Sequence, residues 1–234
     1  MNGIMLLRLE GILQSWGTRS RWDTRDTSNL PTKSAVIGLI AGAMGVKRDD
    51  ISIAQMGKEL RMGVRVDSPG LWIEDYQTIS GEKINADGTK RKSPIVSPRR
   101  YLQDASFLVA LEGEKTIVDK CIAALSDPVW QIYLGRKCCV PTAPIYEKLN
   151  GRQFNSIEEA LCEWDLSERV RNSHDSRENL IGEIEFDLPT VRELGKMKLL
   201  KKYSRRDVIV GNPARTYLSR EAWLFSIPVP GGGE

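Results

Sequence analysis

Pro31-Thr32-Lys33-Ser34-Ala35-Val36-Ile37-Gly38-Leu39-Ile40-Ala41-Gly42-Ala43-Met44-Gly45 is the stretch on which the reading of the fold turns. A proline and two hydroxyl residues precede an almost wholly apolar run, residues 35–44, and Gly45 closes it. Those are the start and stop signals of a helix. Upstream, residues 4–9 are apolar enough to read as a buried strand. Downstream, Arg61-Met62-Gly63-Val64-Arg65-Val66 alternates at period two, as a strand does. Further on, residues 105–111 read as a strand. Residues 114–125 read as a helix, with Ile117, Val118, Cys121, Ile122 and Leu125 at helical spacing, and residues 138–140 as a short final strand. The order is β-α-β twice over. It predicts an α+β fold of ferredoxin-like or RRM-like type, with an insertion at residues 68–104 between the second and third strands.

The insertion carries Asn85-Ala86-Asp87-Gly88 near its middle. Asp-Gly between extended flanks is a hairpin signal, and flanks this polar cannot form a core face, so a β-hairpin is expected to project from the domain. Beyond Pro144 the pattern weakens into short β-like runs. The expected organisation is an RRM-like domain at 1–144 and a small β-rich C-terminal domain at 145–234, whose last residues fray.

Hydrophobic residues make up 41% of the 234, ordinary for a globular chain. No run approaches the roughly 18 apolar residues a membrane helix needs. The first ten residues alternate apolar and polar rather than following a signal-peptide layout, so a cytoplasmic protein is expected. Cys121, Cys138, Cys139 and Cys162 match no zinc spacing, and His174 is the lone histidine. No metal site and no cofactor are expected.

Net charge is only +3, but its distribution is uneven. Residues 1–144 carry 20 lysines and arginines against 16 acidic residues, whereas residues 145–234 carry 14 against 15. Residues 81–101 alone hold six basic residues against Glu82 and Asp87. Neither Met5-Leu6-Leu7 nor Phe107-Leu108-Val109 offers the aromatic platform with which an RRM sheet stacks bases. If RNA binds, loops and the hairpin bind it. Thr32, Lys33 and Ser34 place backbone N–H groups, hydroxyls and an ammonium at a helix N-terminus, a competent phosphate site, with Arg19, Arg21 and Arg25 just upstream. A plain helix cap is the alternative. In the hairpin, Lys90, Arg91, Lys92, Arg99 and Arg100 interleave with Tyr76 and Tyr101, a mixture suited to single-stranded nucleic acid. Gly135-Arg136-Lys137 is a third basic cluster or a solvated turn, and residues 196–206 a fourth or a protein-contact face. Catalysis finds little support: His174 has no partner histidine, and neither a carboxylate cluster nor a phosphate-binding glycine loop is present.

These segments together resemble a known family. Leu9-Glu10-Gly11-Ile12-Leu13-Gln14-Ser15-Trp16-Gly17 and the Pro31–Ile40 run resemble the opening loop and first helix of the CasD family of CRISPR-associated proteins, in the RAMP superfamily. Asp75-Tyr76-Gln77-Thr78, Tyr101-Leu102-Gln103-Asp104-Ala105-Ser106-Phe107 and Tyr133-Leu134-Gly135-Arg136-Lys137-Cys138 are similar to further motifs of that family, in the same order. The matches span about residues 4–145. The resemblance implies a non-catalytic subunit of a type I-E Cascade surveillance complex that caps the 5′ handle of crRNA. It also implies contacts with the repeated backbone subunit and the large subunit, an indirect link to target DNA and no membrane. The projecting hairpin would be the family's thumb. By the same resemblance Gln14, Trp16 and Gly17 shape the loop beside the handle, Thr32, Lys33 and Ser34 lie near its phosphates, and Arg136 and Lys137 occupy the basic turn. Gln77 stands where the family mostly has histidine. A related branch cleaves precursor crRNA without metal, which is the alternative function.

Overall fold

In β1 (Asn2–Glu10) the run Met5-Leu6-Leu7 is apolar on both faces because the strand is covered on both sides. The computed structural model describes residues 2–18, 24–80, 83–84, 87–91, 93–173, 179–185, 197–210 and 216–230. Met5, Leu7 and Leu9 point to one face, where α1 (Lys33–Ala43), α2 (Ile51–Glu59) and α3 (Lys115–Ser126) pack Val36, Ile37, Ile40, Met56, Val118 and Cys121 against them. Leu6 points to the other, toward α4 (Ile157–Glu163), whose Ile157, Ala160 and Leu161 close a second apolar core. Side-chain alternation at period two thus divides one strand between two cores.

Between the termini of β1 and α1 the short β2 (Leu13–Gln14) leaves the main sheet; α2 is followed by β3 (Arg61–Ser68). A long excursion follows: β4 (Leu71–Ile79), β5 (Lys83–Ile84), β6 (Lys90–Arg91) and β7 (Ile95–Gln103). The chain returns through β8 (Ser106–Glu114), α3 and β9 (Tyr146–Glu147). The remainder is α4, the single turn α5 (Glu168–Arg171), β10 (Asn179–Glu185), β11 (Lys198–Val210) and β12 (Thr216–Pro228). The main sheet has seven strands in the order β11-β12-β10-β3-β8-β1-β9. Every pairing in it is antiparallel.

The division expected at residue 145 does not separate two sheets. β10 pairs with β3, Ile181 facing Val66 and Ile184 facing Gly63, so the C-terminal strands extend the first sheet. Gly63 fits there because α4 presses on it: an added Cβ would lie 2.7 Å from Leu161 Cδ1. The strand expected at 138–140 is absent, and β9 takes that edge instead. Residues 134–139 spend their backbone groups on a turn, Leu134 N–H donating to Cys139 O (2.7 Å) and Cys139 N–H to Arg136 O (2.8 Å). The basic run 196–206 falls largely on β11.

The excursion is a long antiparallel hairpin, β4 against β7 from Leu71–Gln103 to Ile79–Ile95, with β5 and β6 continuing it. β2 joins the far side of β7 through Leu13–Gln103 and Gln14–Leu102. Most of β4 is exposed, Trp72 and Tyr76 included. Asn85 and Ala86 of the expected turn lie outside the described residues. Among the described residues no helix is long and apolar enough to cross a membrane.

Candidate nucleic-acid interface

Three of the segments singled out in the sequence meet at the root of the hairpin. Gln14 is fully buried: its Nε2 donates to the carbonyls of Leu9 (3.1 Å) and Ala105 (2.8 Å), and its Oε1 accepts from Trp16 Nε1 (3.1 Å). Trp16 is buried as well, and its backbone N–H donates to Thr27 Oγ1 (2.8 Å). These two residues therefore shape the loop from beneath and present nothing to solvent. Gly135, at φ +89°, lies so close to the loop that an added Cβ would stand 1.7 Å from Ser15 O. The only residue that fits both the conformation and the approach is glycine.

That contact delivers Arg136 to the loop. Its Nη2 donates to Arg25 O (3.0 Å) and Asp26 O (3.1 Å), and its guanidinium lies 4.5 Å from the centroid of the buried Tyr101 ring. Arg25 is in turn fastened to β7, its N–H donating to Pro98 O (3.1 Å) and its carbonyl accepting from Arg100 N–H (2.8 Å). Backbone groups hold these cations on one rim. Burial raises the Tyr101 pKa, and the Arg136 guanidinium only partly opposes it, so the phenol stays neutral under that cation.

The helix N-terminus expected to serve as a phosphate site has partners within the chain. Thr32 caps α1 by accepting from Ala35 N–H (3.2 Å), and the Lys33 N–H donates to Asp207 Oδ2 (2.8 Å). Thr32 and Lys33 are both buried. The favourable end of the helix dipole thus already holds an anion, a carboxylate from β11. Asp207 is itself gripped by Arg220, through Nε (2.8 Å) and Nη2 (3.2 Å). Glu183 accepts from Arg205 Nη1 (2.6 Å), Arg220 Nη2 (2.8 Å) and the Tyr203 hydroxyl. Burial, then the neighbouring Glu183 carboxylate, pushes the Tyr203 pKa upward, which keeps the phenol a donor. Arg205 Nη2 reaches back to Leu30 O (2.8 Å) and Ser28 Oγ (3.2 Å). This buried cluster moulds the loop at 24–34 from below.

Gly17, Arg25, Thr32, Ser34 and Arg136 line one groove of about 580 Å³. The expected hairpin residues lie elsewhere. Tyr76 and Lys90 stand exposed along the hairpin, and Arg100 Nε pairs with Glu74 Oε2 (2.9 Å) on its surface. Arg99 is half-buried, its Nε enclosed without a partner, and Lys137 is exposed. Arg19, Arg21, Lys92 and His174 lie outside the described residues, and of Arg91 only the backbone is described. Gln77 donates to Asp75 Oδ2 (2.5 Å) in the exposed face of β4. Gly38, Gly42, Trp130 and Tyr133, which are not among the expected site residues, line the same groove. Two glycines four apart in a helix, and aromatics in a segment with no strand or helix pattern, were the available signals.

Comparison with known proteins gives a consistent answer. The family described as CRISPR-associated protein (Cas_Cas5) matches residues 4–209. The CRISPR system Cascade subunit CasD of Escherichia coli (strain K12) is 32% identical over 177 residues, covering 70% of this chain and 78% of that protein. A chain of a solved structure described as a CRISPR RNA-guided surveillance complex superposes with a TM-score of 0.72 at 30% identity, covering 98% of this chain and 92% of that one. A solved structure described as a crystal structure of a Cas protein gives a TM-score of 0.69 at 33% identity, covering 98% and 99%.

Proposed function

Since the chain belongs to the Cas5 family of CRISPR-associated proteins, we propose that it is the CasD-type subunit of a Cascade surveillance complex, capping the 5′ handle of crRNA without cutting it. In this reading the strands β9-β1-β8-β3 with α1 and α3 are the ferredoxin-like RAMP core. The β4–β7 hairpin is the thumb, set between handle and backbone subunit. The strands β10–β12 form a C-terminal unit that buttresses the handle-side loop through Asp207 and Arg205.

One observation carries the proposal: Arg25 and Arg136 come from distant segments and line one groove, with Arg136 Nη2 donating to Arg25 O and the Arg25 backbone fastened to β7 at the foot of the hairpin. A cationic rim at the foot of an exposed hairpin suits a single strand whose phosphates follow the rim. The binding-only role has its own support. Cleavage without metal needs an acid and a base at one phosphate. Lys33, 3% exposed, presents no base to a bound strand, and Gln77 cannot titrate.

The test is binding of single-stranded RNA with the repeat sequence of the host's own CRISPR array, followed over a salt series. Log affinity should fall against log salt by about 0.7 per phosphate neutralised. Changing Lys90, Arg91, Lys92, Arg99 and Arg100 together to alanine should flatten that slope. A slope near zero in the unaltered protein refutes the reading. Site-specific cleavage of repeat RNA in EDTA would instead establish a metal-independent endoribonuclease.

A further inference from the structure

Gly38 and Gly42 lie one turn apart on the open side of α1, and a Cβ built on either meets nothing within 4 Å. Glycine inside a helix costs about 1 kcal/mol relative to alanine. Packing within the chain therefore gives no reason for either residue, and together they leave the helix backbone bare along the groove. The same groove is lined by Trp130 and Tyr133, which are 46% and 38% exposed and belong to neither apolar core. Their segment is pinned beside α1 by Val129 N–H donating to Ala43 O (2.8 Å).

Charge in the groove is mixed at both ends: Arg25, Asp26 and Arg136 line it from the loop side, and Arg48, Asp49 and Asp50 from the start of α2. Arg136 Nη1 is enclosed and has no hydrogen-bond partner. A volume of about 580 Å³ is in the range of small-ligand sites. We propose that this groove takes one unstacked nucleotide of the bound RNA, its base lying between the glycine face of α1 and the Trp130–Tyr133 segment. The proposal rests on the RNA-binding reading above. Arg25 and Arg136 meet the phosphate on the loop side, and the base lies against Gly38, Gly42 and Trp130. Stacking of this kind accepts any base, because each has a π face.

Gly38→Leu, Gly42→Leu and Trp130→Ala test it, with Gly57→Ala on α2 as a helix-propensity control outside the groove. The readouts are melting temperature, affinity for fluorescein-labelled repeat RNA, and photocrosslinking of 5-iodouracil placed at successive positions of that RNA. The leucine variants should melt no lower than the parent yet bind RNA roughly tenfold or more weakly, and Trp130→Ala should weaken binding similarly. Gly57→Ala should bind as the parent does. A single RNA position should crosslink to the peptide holding Trp130 or Tyr133. If all three groove variants bind RNA normally while the five-alanine hairpin variant does not, the groove proposal falls and the RNA-binding reading stands. If the parent binds no RNA and the leucine variants instead lose a partner subunit, both fall and the groove seats protein.

Discussion

Replacing Asp207 by alanine would remove the anion that closes the buried cluster under the loop. Asp207 receives Arg220 twice, at 2.8 and 3.2 Å, stands 3.4 Å from Arg205 Nε, and accepts the Lys33 N–H at 2.8 Å. The side chains of Asp207 and Glu183 are 1% exposed, and those of Arg205 and Arg220 are 9% and 5%. Two carboxylates face two guanidiniums, so deleting one carboxylate leaves an excess buried positive charge with no water to solvate it. Breaking a buried pair in this way costs about 3–5 kcal/mol. For a chain of this size each kcal/mol lowers the melting temperature by about 2–4 °C, so a fall of about 6–20 °C is expected. Urea unfolding should show a lower midpoint at unchanged slope. Amide exchange should quicken first at the N-terminus of α1 and in residues 24–34. Asp207→Ala combined with Arg220→Met should recover at least about 1 kcal/mol, because an uncompensated charge is worse than a lost pair. A loss below about 1 kcal/mol in the single variant, or a double variant no more stable than it, would refute the argument.

Gly135→Ala places a methyl against Ser15 O in a left-handed backbone. It should cost about 1–3 kcal/mol from strain alone and lower RNA affinity by displacing Arg136, read by urea titration and the RNA-binding assay. Glu10 titrates below the usual carboxylate range: burial raises its pKa, but the Arg169 hydrogen bond, then those of Ser167 and Ser106, outweigh it. A depressed native pKa gives stability that is present above the unfolded value and lost as pH falls through the native one. Glu10→Gln should therefore flatten the acid limb of a stability-against-pH curve, and an unchanged limb would contradict the assignment. Burial pushes the Cys121 thiol up to about 11 and the Cys139 thiol up to about 12, and both are buried, whereas Cys138 is exposed. Iodoacetamide at neutral pH should alkylate Cys138 in the native protein and spare the other two until denaturant is added, as mass spectrometry would show.

Particular residues show how much the sequence made legible. The helix after Pro31, the strand expected at 61–66 and the helix expected at 114–125 are set by local periodicity, and α1, β3 and α3 stand within about two residues of those bounds. α2 is not among the expected elements, and its apolar residues are few between Lys47-Arg48-Asp49-Asp50 and Gly57. Asp50 nevertheless caps it by accepting from Ser52 N–H (2.8 Å). Lys33 reads as a phosphate-binding cation and Tyr101 as a ring suited to single-stranded nucleic acid, yet both are buried. Charge and aromaticity in a linear chain do not reveal which side chains a fold will enclose. The partner that encloses the Lys33 amide, Asp207, lies 174 residues away.

The residues at 31–45 had already fixed an apolar helix and, with the strands on either side, a β-α-β unit, because period and caps act within a few residues. The collinear motifs also placed the chain in its family. Tertiary structure alone decided that Asp207 meets the N-terminus of α1, and that β10 docks on β3 to make one sheet of two expected units. It alone set Gly38 and Gly42 facing a groove shared with Trp130 and Arg136. Those outcomes depend on contacts between residues far apart in the chain, and no local pattern encodes which distant carboxylate, strand or ring will arrive.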